Sequence, residues 1–365
     1  MLSIMQLKER IKMKQKYYRL TNMDKIDAQY KILLGENSNG KSYAVKERVV
    51  IDAYKKGVKF VYMRRYELES KPRMIEQYFS DCPIYAITGG EYSLVSCWQG
   101  QIYLANMENN KIVRGVAIGW YVYLSGYEHF KSMPYPNVGN VVFEEFVSLR
   151  MYLDDEPSLL QMFISIIARR KKITVYMIAN TISRVCPYFT EWELRNVPNQ
   201  KQGTIDIYEH NTDNYYESGE KVTIRIAVEF CENSGKNSKM FFGKVAETIT
   251  GGVWKSEEQP HLANDLREYN VLYELVLSHM GFSFVIQLIN NNDGATMLYC
   301  YPYTYKRRID RVITNVVSES PFVTNNFNDS KAEILIRKLL SQKKIFFSDN
   351  MTGTDFWNVL NNIIL

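Results

Sequence analysis

Residues Gly35-Glu36-Asn37-Ser38-Asn39-Gly40-Lys41-Ser42 satisfy G-x-x-x-x-G-K-[ST] at every constrained position. The chemistry of that pattern is capture of a phosphate chain. Its glycines let the backbone turn tightly enough to aim successive N–H groups at one anion, and a helix starting there adds its positive end. Lys41 is spaced to reach the terminal phosphates, the Ser42 hydroxyl to ligate Mg²⁺, and Tyr43 follows at the helix start. Such a loop alone marks a nucleoside triphosphate binder; hydrolysis also needs a metal-holding acid and a group that positions water. Glu144 and Glu145, directly after Val141-Val142-Phe143, offer both. Glu144 would hold Mg²⁺, directly or through water, and Glu145 would orient or deprotonate the attacking water. Asn180 closes another apolar run, where a neutral polar side chain either senses a terminal phosphate or simply turns the chain. Arg169 and Arg170, within RRKK, could reach a neighbouring subunit's nucleotide, or form a solvated or DNA-facing turn. Arg64 and Arg65 are weaker candidates of the same kind.

These residues work only if the right elements hold them. Tyr30–Leu34 is an apolar run of strand length, and residues 43–51 carry apolar side chains at helical spacing. Strand, glycine loop and helix are therefore expected over 29–57, with Gly57 as the helix stop. Further strands are expected at 58–63, at 140–146 ending in the two glutamates, and at 173–180, with a helix over 157–168. Between 83 and 127, the runs PIYAIT, SLVSCW, QIYLANM and VAIGWYVYLS read as short strands separated by Gly and Asn turns. Almost uniformly apolar strands alternating with helices imply a parallel sheet covered on both faces. Its strand ends share one edge, bringing the glutamates beside the phosphate loop. Residues 201–268 are richer in polar residues and read as a linker subdomain. From 269 onward, alternating runs flank Asp293-Gly294, a hairpin signal, and two helices with a short strand between them follow.

Bulk properties set wider bounds. At 365 residues, two or three domains are expected. No apolar run approaches the length of a membrane span, and MLSIMQLKERIKMKQKYYR lacks the uninterrupted apolar core expected of a secretion signal. Five scattered cysteines and four isolated histidines argue against a disulfide framework or a dedicated transition-metal site. The net charge of +5 resides in residues 1–20, where Lys8, Arg10, Lys12, Lys14, Lys16 and Arg19 face Glu9 alone. This basic arm could meet phosphate or an acidic protein, or be a solvated extension. In the C-terminal part, Tyr303, Tyr305, Lys306, Arg307, Arg308, Arg311, Lys343 and Lys344 would suit sequence-independent DNA contact or a plain hydrophilic loop. No cluster of inward acids accompanies them, so no cleavage activity is expected there.

The stretches GENSNGKSYAVK, FVYMRRYE, KSMPYPNVGNVVFEEF and MIANTISRVCPYF together resemble the DNA packaging (encapsidation) ATPases of small tailed phages with protein-capped linear genomes. The likeness covers about residues 25–200 and returns as strand pattern over 270–365. It implies an α/β fold: a P-loop ATPase of the additional-strand, catalytic-glutamate type over 1–200, a linker over 201–268, and a vestigial ribonuclease-H-like domain over 269–365. It also implies ATP and Mg²⁺ as cofactors, double-stranded DNA as partner, and a ring, of five subunits, docked on the portal of an empty procapsid. A structural RNA could bridge ring and portal. The setting implied is the host cytoplasm, with the protein absent from the mature virion. By position, Lys131 and an arginine at 169 or 170 would act across the subunit boundary. Glu144 stands where the family carries Asp, which places direct metal ligation in question. The expected function is ATP-driven DNA translocation. A helicase or conjugation-type pump, a nucleotide-gated scaffold and a cutting terminase are the alternatives.

Overall fold

The structure is a computed structural model that describes residues 17–149, 152–169, 171–215, 221–232, 254–304, 308–314 and 318–361. Most of the basic arm, through Lys16, and residues Arg170, Tyr305, Lys306 and Arg307 lie outside the described residues. The described residues divide into two compact units: 17–147, 153–169, 171–181, 194–215 and 221–232 in the first, and 148–149, 152, 182–193, 254–304, 308–314 and 318–361 in the second.

The first unit is built on a nine-stranded sheet. Its strands are β1 (Tyr30–Gly35), β2 (Lys59–Arg64), β3 (Leu94–Trp98), β4 (Gln101–Glu108), β5 (Lys111–Tyr123), β6 (Val138–Glu144), β7 (Thr174–Asn180), β8 (Thr204–Tyr215) and β9 (Lys221–Phe230), in the order β3-β4-β5-β2-β6-β7-β1-β9-β8. The six strands from β5 to β9 in that order are mutually parallel. Strand β7 lies between the strand that feeds the glycine loop and the strand that ends in Glu144, which is the additional-strand arrangement expected. Register sets Asn180 beside Gly35 and Ile178 beside Glu144, so three chemistry-bearing strand ends share one edge. Ile32, Leu33, Leu34, Val141, Phe143 and Met177 are fully or almost fully buried, as strands covered on both faces require. The helix Lys41–Lys56 buries Val45, Val49, Val50 and Ala53 along one stripe and stops at Gly57, whose φ of 68° is left-handed.

Three expectations are corrected here. Residues 201–268 are not one linker: β8 and β9 complete the first unit's sheet, and β9 lies directly against β1. Its buried Ile226, Ala227, Val228 and Phe230 are core residues within a polar stretch. The segment PIYAIT holds a short helix, Ile84–Ile87, in which residues three apart are buried while Tyr85 is exposed; that spacing is helical. Strand β6 stops at Glu144 because Glu145 takes a left-handed φ of 57°.

The second unit holds β10 (Asn270–His279), β11 (Phe282–Asn290), β12 (Thr296–Pro302), β13 (Val312–Thr314), β14 (Val323–Thr324) and β15 (Ile345–Phe347), ordered β14-β13-β10-β11-β12-β15. Three antiparallel strands with two more running parallel to the first give the ribonuclease-H-like order; β15 extends it at the far edge. Asp293-Gly294 does lie in the β11–β12 turn. A second hairpin turns at Met280-Gly281, with φ of 50° and 77°, inside what reads as one continuous apolar run. Helices Lys331–Ser341 and Asn350–Leu360 bury Ile336, Leu339, Phe356 and Val359 against Leu275, Leu277, Phe284 and Ile286.

Candidate active site

The loop after β1 is shaped by backbone conformations that side chains resist. Gly35 has φ of 154° and Gly40 has φ of 99°. A Cβ at Gly35 would stand 3.2 Å from Asn39 Nδ2, and one at Gly40 would stand 3.2 Å from Tyr17 Cβ. Neighbouring segments hold the loop from outside: the Tyr18 amide donates to Asn39 O at 2.8 Å, and the Cys231 amide to Leu34 O at 2.8 Å. Asn37 and Ser38 are exposed at the tip, whereas Glu36 and Asn39 are buried.

Lys41 is only 4% exposed. Its ammonium donates to Glu36 O at 2.6 Å and Asn39 Oδ1 at 3.2 Å, and lies 3.5 Å from Asn180 Oδ1. Burial draws its pKa below the ordinary lysine value, with Cys231, Glu144 and Glu36 opposing. A desolvated cation held by neutral oxygens favours exchange of those oxygens for an anion. Beside it, Asn39 Nδ2 is a buried donor with no hydrogen-bond partner. Two donors converging inside a glycine loop fit a phosphate group.

Glu144 is 6% exposed. Burial pushes its carboxyl above the ordinary range, opposed by hydrogen bonds from Tyr78 and Ser42. The Tyr78 hydroxyl donates to Oε1 at 2.5 Å. A serine hydroxyl that draws this carboxyl's pKa down, at the start of the phosphate-loop helix, makes with it a hard-oxygen pair suited to Mg²⁺. Tyr43, one residue on, is exposed at the loop's outer side.

Glu145 is placed differently. Its side chain is 59% exposed, and Oε2 accepts from Arg64 Nη2 at 2.7 Å. Its amide donates to Ile178 O at 2.8 Å, so the carboxylate projects from a fixed backbone. Arg64 thus pairs within its own chain. Arg65 is structural: it grips Glu156 through Nε at 2.7 Å and Nη2 at 2.9 Å, and reaches Phe146 O at 2.6 Å and Glu145 O at 3.3 Å.

The structure thus gathers Lys41, Ser42, Glu144 and Asn180, with Glu145 alongside Glu144. It does not bring Lys131 or Arg169 into that group's hydrogen bonds. Lys131 is exposed, pairs with Glu128 and lies 4.7 Å from the Tyr127 ring centroid. Arg169 is exposed at the left-handed end of helix Glu156–Ala168. Tyr78, and the pairing of Arg64 with Glu145, were missed by sequence reasoning. The doubled arginine after β2 was the one available signal.

The site's residues can be set beside known proteins. The chain is 25% identical to the DNA packaging protein of Bacillus phage phi29 over 345 residues, covering 84% of this chain and 97% of the relative. It is likewise 25% identical to the DNA packaging protein of Bacillus phage PZA over 338 residues, with the same shares covered. Among solved structures, the bacteriophage phi-29 viral genome packaging motor assembly matches with a TM-score of 0.55 and 21% identity, covering 95% of this chain and 99% of that one. The phi-28 gp11 DNA packaging motor matches with a TM-score of 0.52 and 16% identity, covering 96% and 98%. At those identities the two structures speak for the fold. The model of the podovirus DNA encapsidation protein family (Gp16) matches residues 13–225, which include the phosphate loop, both glutamates and Asn180, and the chain belongs to that family.

Proposed function

We propose that this chain is an ATP-driven double-stranded DNA translocase that packages a viral genome into an empty procapsid. One observation carries the reading: Lys41, Ser42, Glu144 and Asn180 meet at one sheet edge in the arrangement that triphosphate hydrolysis needs. The loop amides, Lys41 and Asn39 would bind the phosphates, and Ser42 with Glu144 would hold Mg²⁺. When bound, Mg²⁺ supplies Lewis-acid stabilisation of charge developing on the transferred phosphoryl group. Glu145 would take the proton from the attacking water at its carboxylate while Arg64 restrains the side chain. Asn180, 3.5 Å from the Lys41 ammonium, would register whether the terminal phosphate is present.

The finer reading follows the family resemblance. It is a homo-oligomeric ring, a pentamer, working in the host cytoplasm while docked at the procapsid portal, with a structural RNA as a further possible partner. ATP would sit between subunits, with Lys131 and Arg169 or Arg170 supplied by the neighbour. The exposed positions of Lys131 and Arg169 support that reading, because a trans-acting side chain must be free to leave its own subunit. DNA would be gripped through its phosphates, without base readout.

The test is Glu145→Gln. It should bind ATP as the parent does and lose DNA-stimulated turnover by about 10²–10⁴-fold, the span of a lost general base. Turnover at the parent's rate would defeat the assignment.

A further inference from the structure

Helix Pro72–Phe79 belongs to neither the glycine loop nor the acidic strand, yet Tyr78 from it ends on the carboxylate between them. We propose that Tyr78 is a positioning residue for Glu144, fixing the carboxylate against Ser42 in the orientation a divalent cation requires. The inference rests on the ATPase reading above and names how that site orders its metal-holding acid.

Glutamate carries one more rotatable bond than aspartate, so a glutamate at the end of β6 can present its oxygens in more than one direction. A short O–H to carboxylate bond is among the stronger neutral-to-ion contacts and removes that freedom. The hydroxyl is itself well fixed. The half-buried Tyr78 ring packs on Tyr62 with centroids 4.7 Å apart and edge-on to Phe79 at 5.1 Å. Lys46 Nζ lies 4.4 Å from the ring centroid and donates to Tyr78 O at 2.7 Å, while also pairing with Asp81. Lys46 stands on the same helix as Lys41 and Ser42. Acid, tyrosine and loop helix are therefore linked: Glu144 to Tyr78, and Tyr78 to Lys46 on the helix that also carries Ser42. Bonds that orient a metal ligand from behind are worth about 10–100-fold in metal affinity.

The test uses the full chain with ADP, and Mn²⁺ as the probe cation, free Mn²⁺ being counted by electron paramagnetic resonance. Tyr78→Phe should weaken Mn²⁺ binding to the ADP complex by about tenfold or more. ADP affinity in metal-free buffer should stay within about twofold, because the phenol touches no phosphate-binding group. In a Glu144→Asp background the carboxylate withdraws from the hydroxyl, so adding Tyr78→Phe should change Mn²⁺ affinity less than about twofold. An unchanged Mn²⁺ affinity in Tyr78→Phe overturns the proposal, as does an equal loss in both backgrounds, which would mark Tyr78 as merely structural. A parent protein that fails to bind ADP overturns the nucleotide reading itself, and this inference falls with it.

Discussion

Arg65→Met tests whether the chain beneath Glu145, the proposed general base, is held by a buried ion pair. Arg65 and Glu156 are 6% and 0% exposed at their side chains, and the guanidinium makes two bonds to the carboxylate and two to the carbonyls of Phe146 and Glu145. Methionine fills much of the same volume but leaves Glu156 charged, buried and short of its cation. The Leu153 amide also donates to this carboxylate, at 2.9 Å. Orphaning one member of a buried pair costs about 3–5 kcal/mol. For a unit of this size each kcal/mol moves Tm by about 2–4 °C, so the first unit's transition should fall by about 6–20 °C in differential scanning calorimetry. The exposed pair of Arg64 with Glu145 gives the contrasting scale, about 1 kcal/mol at most. Arg65→Met with Glu156→Leu removes both charges and should recover much of the loss, since no buried charge is left uncompensated, although the Phe146 and Glu145 carbonyls and the Leu153 amide still lose these partners. A shift under about 2 °C in the single variant, or a double variant no better than the single, would refute the buried-pair argument.

Two further outcomes are expected. Gly40→Ala should lower ATP affinity by isothermal titration calorimetry, because alanine at φ of 99° costs about 1–3 kcal/mol and its Cβ would meet Tyr17 Cβ at 3.2 Å; parent-like affinity would contradict the loop geometry. In the second unit, burial alone would raise the Glu333 carboxyl pKa, yet Arg311, the Asn328 amide and Tyr273 together hold it below the ordinary range. A depressed folded-state value stabilises fully above about pH 4.3 and is lost as pH falls through the folded value. The second unit's Tm should therefore drop on acidification through that window. Arg311→Met should flatten the dependence, and an undiminished slope in that variant would refute the assignment.

What was legible in the sequence was whatever chemistry writes at fixed local spacing. The glycine loop, the acid pair and the helix stop at Gly57 are each set by residues within a few positions of one another. What stayed hidden depends on partners far apart in the chain. Arg65 and Glu156 are 91 residues apart, and Tyr78 and Glu144 are 66 apart, so neither pairing leaves a local pattern. Strand β9 was hidden for a related reason. Its apolar half, Ile226–Phe230, is ordinary by itself, and only its register against β1 places it beside the strand that feeds the glycine loop. The β10–β11 hairpin was hidden because Met280-Gly281 interrupts an apolar run without the usual Asn or Asp.

Glu144 and Glu145 carry chemically identical side chains, and the backbone is what separates their environments. Neighbouring strand residues already face opposite sides of a sheet. Here the strand also ends between the two, since Glu144 is its last member and Glu145 turns left-handed at φ of 57°. One carboxylate is consequently buried against Ser42 and Tyr78, in the low-dielectric setting where a cation is strongly attracted. The other projects toward solvent beside Arg64, where water can reach it and a proton can leave. On the proposed reading, exchanging the two environments would put the metal-holding acid in water and the proton acceptor in a dry pocket. On that reading the left-handed turn at Glu145 is as much a part of the chemistry as either side chain. A β-branched residue such as valine there should abolish turnover even before its missing carboxylate is considered, because it disfavours positive φ.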